Sequence, residues 1–254
     1  MTESSLPLGS VVDIDIGAVD ATDVIKQCFK KINACAQRLQ KLKVTEIDPR
    51  GNTLMPKVVW KQTGLRQSVI YRAIELHNAT ATLINANNLL GALILVRTIV
   101  ELMAFVEDVR AKIASGVEKN DLGQIDGAIQ STNFATRWDN MPEEAKATNI
   151  LTLLARFDKD FMGQELKKSV AGMHAILSEF THPNWVGMAG FFGQIDHETR
   201  IQHFSVVHRD RSGLFTNIAG GCVCLTIIEL LVRELLNQVA PVWTISEAER
   251  LAGK

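Results

Sequence analysis

The chain has 254 residues, 46% of them hydrophobic, with 27 lysines and arginines set against 28 aspartates and glutamates for a net charge of −1. That much apolar surface can build a substantial core, and the even charge balance excludes a global electrostatic draw to nucleic acid or anionic membrane, so any RNA contact is local. The four cysteines, Cys28, Cys35, Cys222 and Cys224, lack both C-x-x-C and the paired Cys/His spacing of a zinc site and read as reduced core thiols, with no metal and no cofactor indicated.

Residues 1–19 carry no sustained periodicity and are expected to form a flexible N-terminal arm, followed by a single helical domain over 20–254. The opening Met-Thr-Glu-Ser-Ser-Leu-Pro-Leu lacks the basic and apolar regions of a signal peptide, which points to a cytoplasmic location. From Asp23 to Lys43, Val24, Cys28, Phe29, Ile32, Cys35 and Leu39 recur at helical spacing with Lys and Arg opposite, the pattern of an amphipathic helix. Val44–Gly64 holds two prolines and the turn-like Asp48-Pro-Arg-Gly51, and reads as a connector with one short extended piece at Lys57–Trp60. A second helix is expected from Leu65 to Ala86, ended by Asn85-Ala-Asn-Asn88, which can also cap the next.

The third helix, Asn88 to Ala114, contains the run Leu89–Val106, apolar except for Arg97, Thr98 and Glu101. A weaker helix follows over Asp121–Phe134. Met141-Pro-Glu-Glu144 is a helix start for a segment reaching Asp158, since proline suits the first helical position and acids the positive end of the dipole. The next helix, from about Gly163, has the stripe Leu166, Val170, Met173, Leu177, Phe180 and stops near His182, because Pro183 disfavours helix in the residue before it. Two alternating runs, Met188–Ile195 and Arg200–Val207, form a β-hairpin near 188–207. Leu214–Val239 is the longest predicted helix, with a seam of Leu225, Ile228, Val232, Leu235 and Val239 that packs inside the bundle or across a homodimer through 214–239. Pro241 stops it, and Ser246-Glu-Ala-Glu249 resembles a capping box for a last helix. The fold expected is therefore mostly α, a helical bundle with one β-hairpin. Leu89–Val106 and Ile218–Val232 are apolar enough to raise a membrane span, but Arg97, Glu101 and Glu229 interrupt them, and core helices are the cheaper reading.

Arg97 and Glu101 are the charges that most need explaining. A helix apolar on every side is buried, and a buried charge must be paired and hydrogen-bonded. Arg four residues before Glu is the less favourable order for an intrahelical pair, so partners from another helix are expected. The candidate partner is the segment Ile176-Leu-Ser-Glu-Phe-Thr-His-Pro-Asn-Trp185, where Ser178 and His182 share a flank and the chain opens to present Asn184 and Trp185.

Arg97-x-x-x-Glu101 followed by Ser178-Glu-x-x-His-Pro-Asn-Trp185 resembles an uncharacterised group of helical bacterial proteins with an R-x-x-x-E helix and an S-E-x-x-H-P-N-W segment. That group is similar in outline to the HEPN superfamily of helical bundles, which includes ribonucleases. The ribonuclease pattern of Arg followed by His finds one match here, Arg72…His77, which helical rotation turns to different faces. The resemblance implies a HEPN-like fold and an RNA- or nucleotide-directed activity in stress or defence. In that reading Arg97 holds a phosphate, His182 moves a proton, Glu101 orients one of them, and Trp185 stacks on a base, beside Ser178 and Asn184. The alternative is a non-enzymatic helical interaction module whose polar cluster only fixes packing.

Overall fold

A computed structural model describes residues 10–50, 54–133, 148–160, 169–205 and 211–253. The expected helix start at Met141, the start near Gly163 with Leu166, and the strand end at Val206 and Val207 lie outside the described residues. The fold is mostly α. Among the described residues there are ten helices: α1 Asp23–Gln40, α2 Lys57–Asn85, α3 Leu89–Lys119, α4 Leu122–Asn133, α5 Ile150–Asp160, α6 Ser169–Thr181, α7 Ala189–Phe192, α8 Arg211–Cys222, α9 Cys224–Asn237 and α10 Val239–Leu251. Strands β1, Gly193–Ile195, and β2, Gln202–Phe204, pair antiparallel with Gln194 opposite His203.

Several boundaries follow from side-chain chemistry. α2 ends where Asn87 turns left-handed (φ 58°), and Asn88 Oδ1 then accepts from Gly91 N at 3.0 Å to cap α3. α3 runs past Gly116 to Lys119, where Asn120 is left-handed (φ 52°), and Asp121 caps α4 through Gln124 N at 2.9 Å. α6 stops at Thr181, two residues before Pro183.

Several expectations change. Lys57–Trp60 is the first turn of α2 rather than an extended piece, because Pro56 precedes a helix that Gly64 does not interrupt. The first half of the predicted hairpin, Ala189–Phe192, is a helical turn in which Gly190 N donates to Trp185 O. The predicted long helix divides at Val223 into α8 and α9. Pro241 lies in the first turn of α10, where it costs no helix hydrogen bond, so Ser246 and Glu249 are interior positions and not a new start.

The chain groups into two compact units. Of the described residues, the first comprises 10–40, 74–101, 169–205 and 211–226. Its core holds Phe29 edge-on to Phe215 at 6.3 Å, with Ile32, Ile84, Leu93, Val96, Leu177 and Ile218 buried. At Gly221 an added Cβ would overlap Val96 Cγ1, so glycine is what lets α8 approach α3 this closely. The expected loose arm is, over residues 10–19, a docked segment: Ile14 and Val19 are buried and Asn33, Asn78 and Asn85 hold its main chain.

Of the described residues, the second unit comprises 41–50, 54–73, 102–133, 148–160 and 227–253, with Val59, Leu65, Ile70, Met103, Ile113, Ile125, Leu154, Phe157 and Val242 buried. Several buried polar groups here are paired: Gln62 Nε2 donates to Leu235 O at 3.0 Å, Arg66 Nε to Val232 O at 3.1 Å, and Arg110 grips Glu107 through two bonds of 2.6 and 2.7 Å, whereas the buried Oε1 atoms of Gln62 and Gln238 accept no hydrogen bond among the described residues. Of the predicted seam, Leu225, Ile228, Val232 and Leu235 are buried within the chain, which withdraws those four from any second copy.

α3 and the run Arg211–Leu251 are long and apolar enough to cross a membrane by length and composition, but half or more of the apolar window in each is buried inside the protein. Charges at Arg97, Glu101 and Glu229 are accommodated by ion pairs within these helices, a feature of core helices.

Candidate functional site

α3 brings Arg97 and Glu101 to the first unit, and their partner is His174, in the middle of α6. Arg97 Nε lies 3.1 Å from Glu101 Oε1 and 3.2 Å from His174 Nε2, and that imidazole nitrogen lies 3.0 Å from Glu101 Oε1. Three atoms of three side chains thus form a closed triangle. Nε2 has either a lone pair or a proton. Bearing a proton it donates to Glu101, and Arg97 stays paired with the same carboxylate; without one it accepts from Arg97. Both tautomers leave Arg97 with a partner.

The triangle is only partly withdrawn from water. His174's side chain is 5% exposed, whereas Arg97 and Glu101 expose 23% and 29% of theirs. Nε2 is therefore reached by two protein groups and by almost no solvent. A substrate at that nitrogen would have to displace Arg97 or Glu101.

His182 does not join this cluster. It falls one residue beyond α6, is exposed, and its ring makes no hydrogen bond among the described residues; only its main chain is engaged, accepting from Asn184 N at 2.8 Å. The reason is rotational. Eight residues beyond His174, with the helix already ended, the side chain has left the face that looks at α3. Ser178 is likewise occupied locally, donating to His174 O at 2.7 Å. Asn184 acts as a clip: its Nδ2 donates to Glu179 Oε2 at 2.8 Å and its Oδ1 accepts from Gly187 N at 2.9 Å, folding the chain back after Pro183. Trp185, 64% exposed, is carried outward by that turn.

Trp185 forms part of a second feature at the C-terminal end of α6. Phe180, Trp185, Val186, Phe191 and Phe192 wall a cavity of about 430 Å³, with Gln194, His203, Ser205 and Asn217 supplying polar groups and no lysine or arginine among the described residues of its lining. The aromatic walls are ordered by edge-on contacts, Phe180 to Phe191 at 6.1 Å and Phe191 to Phe192 at 5.0 Å. Glycines make the approach possible: a Cβ on Gly190 would stand 2.9 Å from Trp185 Nε1. Phe180 and His174 are six residues apart on α6, about 9 Å along the axis and about 120° around it. The cavity and the triangle consequently occupy different faces of one helix.

Of the residues read together in the sequence, Arg97 and Glu101 belong to the triangle and Trp185 to the cavity wall, while Ser178, His182 and Asn184 belong to neither. Sequence reasoning missed His174, although Val170, His174, Leu177 and Thr181 follow each other at 4-3-4 spacing and Val170 and Leu177 are buried with it. It also missed the histidine, glutamine and asparagine of the cavity, which come together from β1, β2 and α8. Arg72 is exposed and His77 buried, so that pair does not converge on one ligand. Among the described residues no three His, Cys, Asp or Glu side chains gather as a metal-ligand set. Comparison with protein-family models, with curated proteins and with solved structures gives no match.

Proposed function

We propose that the protein is a cytoplasmic, nucleotide- or RNA-directed binding protein that takes a nucleobase into the cavity at the end of α6. The observation that carries this reading is the composition of that cavity: aromatic walls from Phe180, Trp185 and Phe191 around hydrogen-bonding groups of Gln194, His203 and Asn217. Flat heterocycles stack on aromatic faces, and amide and imidazole groups read their edges. The volume falls in the range of small-ligand sites, about 300–1,000 Å³. Among the described residues the lining holds neutral amide, hydroxyl and imidazole groups, which suit a neutral base. The resemblance to HEPN-like proteins of bacterial stress and defence points to the same ligand class.

The second reading concerns the Arg97–Glu101–His174 triangle, which is a structural lock between α3 and α6 and not an acid–base site. His174 supports it, being almost completely enclosed with Nε2 engaged by both neighbours. Such polar clusters fix helix register at the expense of apolar packing.

The test is titration of the purified protein with nucleoside monophosphates and short single-stranded RNA, followed by calorimetry. Wild type should bind, Trp185→Ala should weaken binding about tenfold or more through the lost stacking of roughly 1–3 kcal/mol, and His174→Gln should leave affinity unchanged once the protein is folded. No binding by wild type across the panel, or equal binding by Trp185→Ala, overturns the reading.

A further inference from the structure

Residues 10–15 have no regular secondary structure, yet their main chain is held as a strand would be. Asn78 accepts from Val12 N at 2.9 Å and donates to Ser10 O at 3.5 Å; Asn85 accepts from Asp15 N at 2.9 Å and donates to Asp13 O at 3.0 Å. A carboxamide that bonds the carbonyl of one residue and the N–H two residues on takes the place of a parallel neighbouring strand. From α1, Asn33 bonds both the N–H and the carbonyl of Ile14 at 3.0 Å, as an antiparallel neighbour would.

The spacing fits. Asn78 and Asn85 are two helical turns apart, about 10.5 Å. The main-chain sites they hold are offset by three residues, about 10 Å of extended chain. An extended segment therefore lies along α2 in register with its side-chain amides. Two further contacts define the cleft: Ile14 is buried as an apolar anchor, and Gln37 Nε2 reaches Asp13 Oδ1 at 3.3 Å. His77, 1% exposed, lies in the same place with neither ring nitrogen fully hydrogen-bonded, subject to the main chain of Val12 and the carboxylate of Asp13.

We infer that the cleft formed by α1 and the Ile74–Asn85 part of α2 is a receptor for an extended peptide, and that residues 10–16 of a second copy of this chain are its occupant in trans. Recognition uses the main chain and one isoleucine, so exchange replaces each contact by its equivalent. The turn at Ile16–Ala18, with Ala18 N bonded to Asp15 O at 3.1 Å, is the pivot at which the segment leaves its own cleft. The same segment acts in cis as an internal competitor. This inference is independent of the base-binding cavity.

The experiment uses the full chain carrying Ile14→Asp, which ejects its own segment and leaves the cleft intact, and a fluorescent peptide of residues 10–17 read by anisotropy. The variant should bind the peptide at least about tenfold more tightly than wild type, whose cleft is filled. Adding Asn78→Ala and Asn85→Ala should abolish binding. In sedimentation, the variant mixed with wild type should give a heterodimer. A variant that is folded by circular dichroism and fails to bind the peptide, or binds it but gives no heterodimer with the wild-type chain, overturns the inference. If Ile14→Asp does not fold, hydrogen exchange on wild type decides: the amides of Val12, Ile14 and Asp15 should exchange through a local opening, much faster than Ile99 in α3. Equal protection at all four positions would show that the segment never leaves its cleft, and the inference would fall.

Discussion

Arg97 and His174, 77 positions apart in the chain, meet at 3.2 Å between guanidinium Nε and imidazole Nε2, with Glu101 Oε1 closing the triangle. The pairing joins α3 to α6 at one height, and sliding either helix by a turn would part His174 from the Arg97–Glu101 pair of α3. It also leaves a quarter of the Arg97 side chain in water, which lowers the cost of breaking it.

Arg97→Ala should destabilise the protein by about 1–3 kcal/mol, the range for leaving a partly buried partner unsatisfied, rather than the larger loss of a fully buried pair. His174→Gln should cost a similar amount. His182→Gln, at an exposed position with a free ring, should stay within about 0.5 kcal/mol of wild type. Denaturant titration of the three variants checks the ranking, and a His182→Gln loss equal to that of His174→Gln would place the wrong histidine in the triangle.

How much of this was legible in the sequence depends on the range of the interaction. Helix ends set by local chemistry, such as the asparagine cluster with left-handed Asn87 after α2 and the stop before Pro183, could be read from neighbours in the chain. That Arg97 and Glu101 need partners was also legible, since polar groups in an apolar run require them. Which histidine answers was a question of rotation about α6: the expected stripe passes through Val170 and Leu177 but takes Met173 as the position between them, and so misses His174 by one residue. The docked segment at residues 10–19 was illegible because asparagine side chains from two helices, and no periodicity of its own, hold it in place. The cavity was hidden for the same reason, its polar groups arriving from β1, β2 and α8.

Gly221→Ala should destabilise by about 1–3 kcal/mol, because the new methyl would overlap Val96 in a packed core. Gly64→Ala, within α2 where an added Cβ meets nothing within 4 Å, should instead stabilise by about 0.5–1 kcal/mol through its helix propensity. Melting temperatures moving in opposite directions check both. A neutral Gly221→Ala would mean that α8 does not lie this close to α3.

Burial pushes the Cys224 thiol up to about 12 from the ordinary 9.0 and raises Cys222 as well, with Cys224 and Cys28 adding to the latter shift. In the unfolded chain both ionise near pH 9 while the folded state keeps them protonated. The stability they contribute is fully present below pH 9 and is lost as pH rises from there toward 12, at about 1.4 kcal/mol per pH unit for each thiol. Denaturant titrations across this window should show a shallower decline for Cys222→Ala/Cys224→Ala than for wild type. Parallel declines would mean that the two thiols ionise as readily folded as unfolded.

His77 gives the opposite limb. Its pKa is lowered from 6.5, chiefly by burial, against the weaker opposing pull of the Val12 main chain and the Asp13 carboxylate. A base with a depressed folded pKa contributes stability that is present above pH 6.5 and is lost as pH falls from there through the folded value, because only the unfolded chain takes up the proton readily. Protonation would place a charge under residues 10–15, so the loss should begin there: the amides of Val12, Ile14 and Asp15 should exchange faster at pH 5 than the pH dependence of intrinsic exchange allows. His77→Leu removes the titrating group and two buried nitrogens that lack full hydrogen bonds, and should be close to neutral in stability at pH 7.5. At pH 5 the same variant should be more stable than wild type and should retain protection at those three amides. An acid limb unchanged by His77→Leu would assign the loss to other groups and leave the docked segment insensitive to this proton.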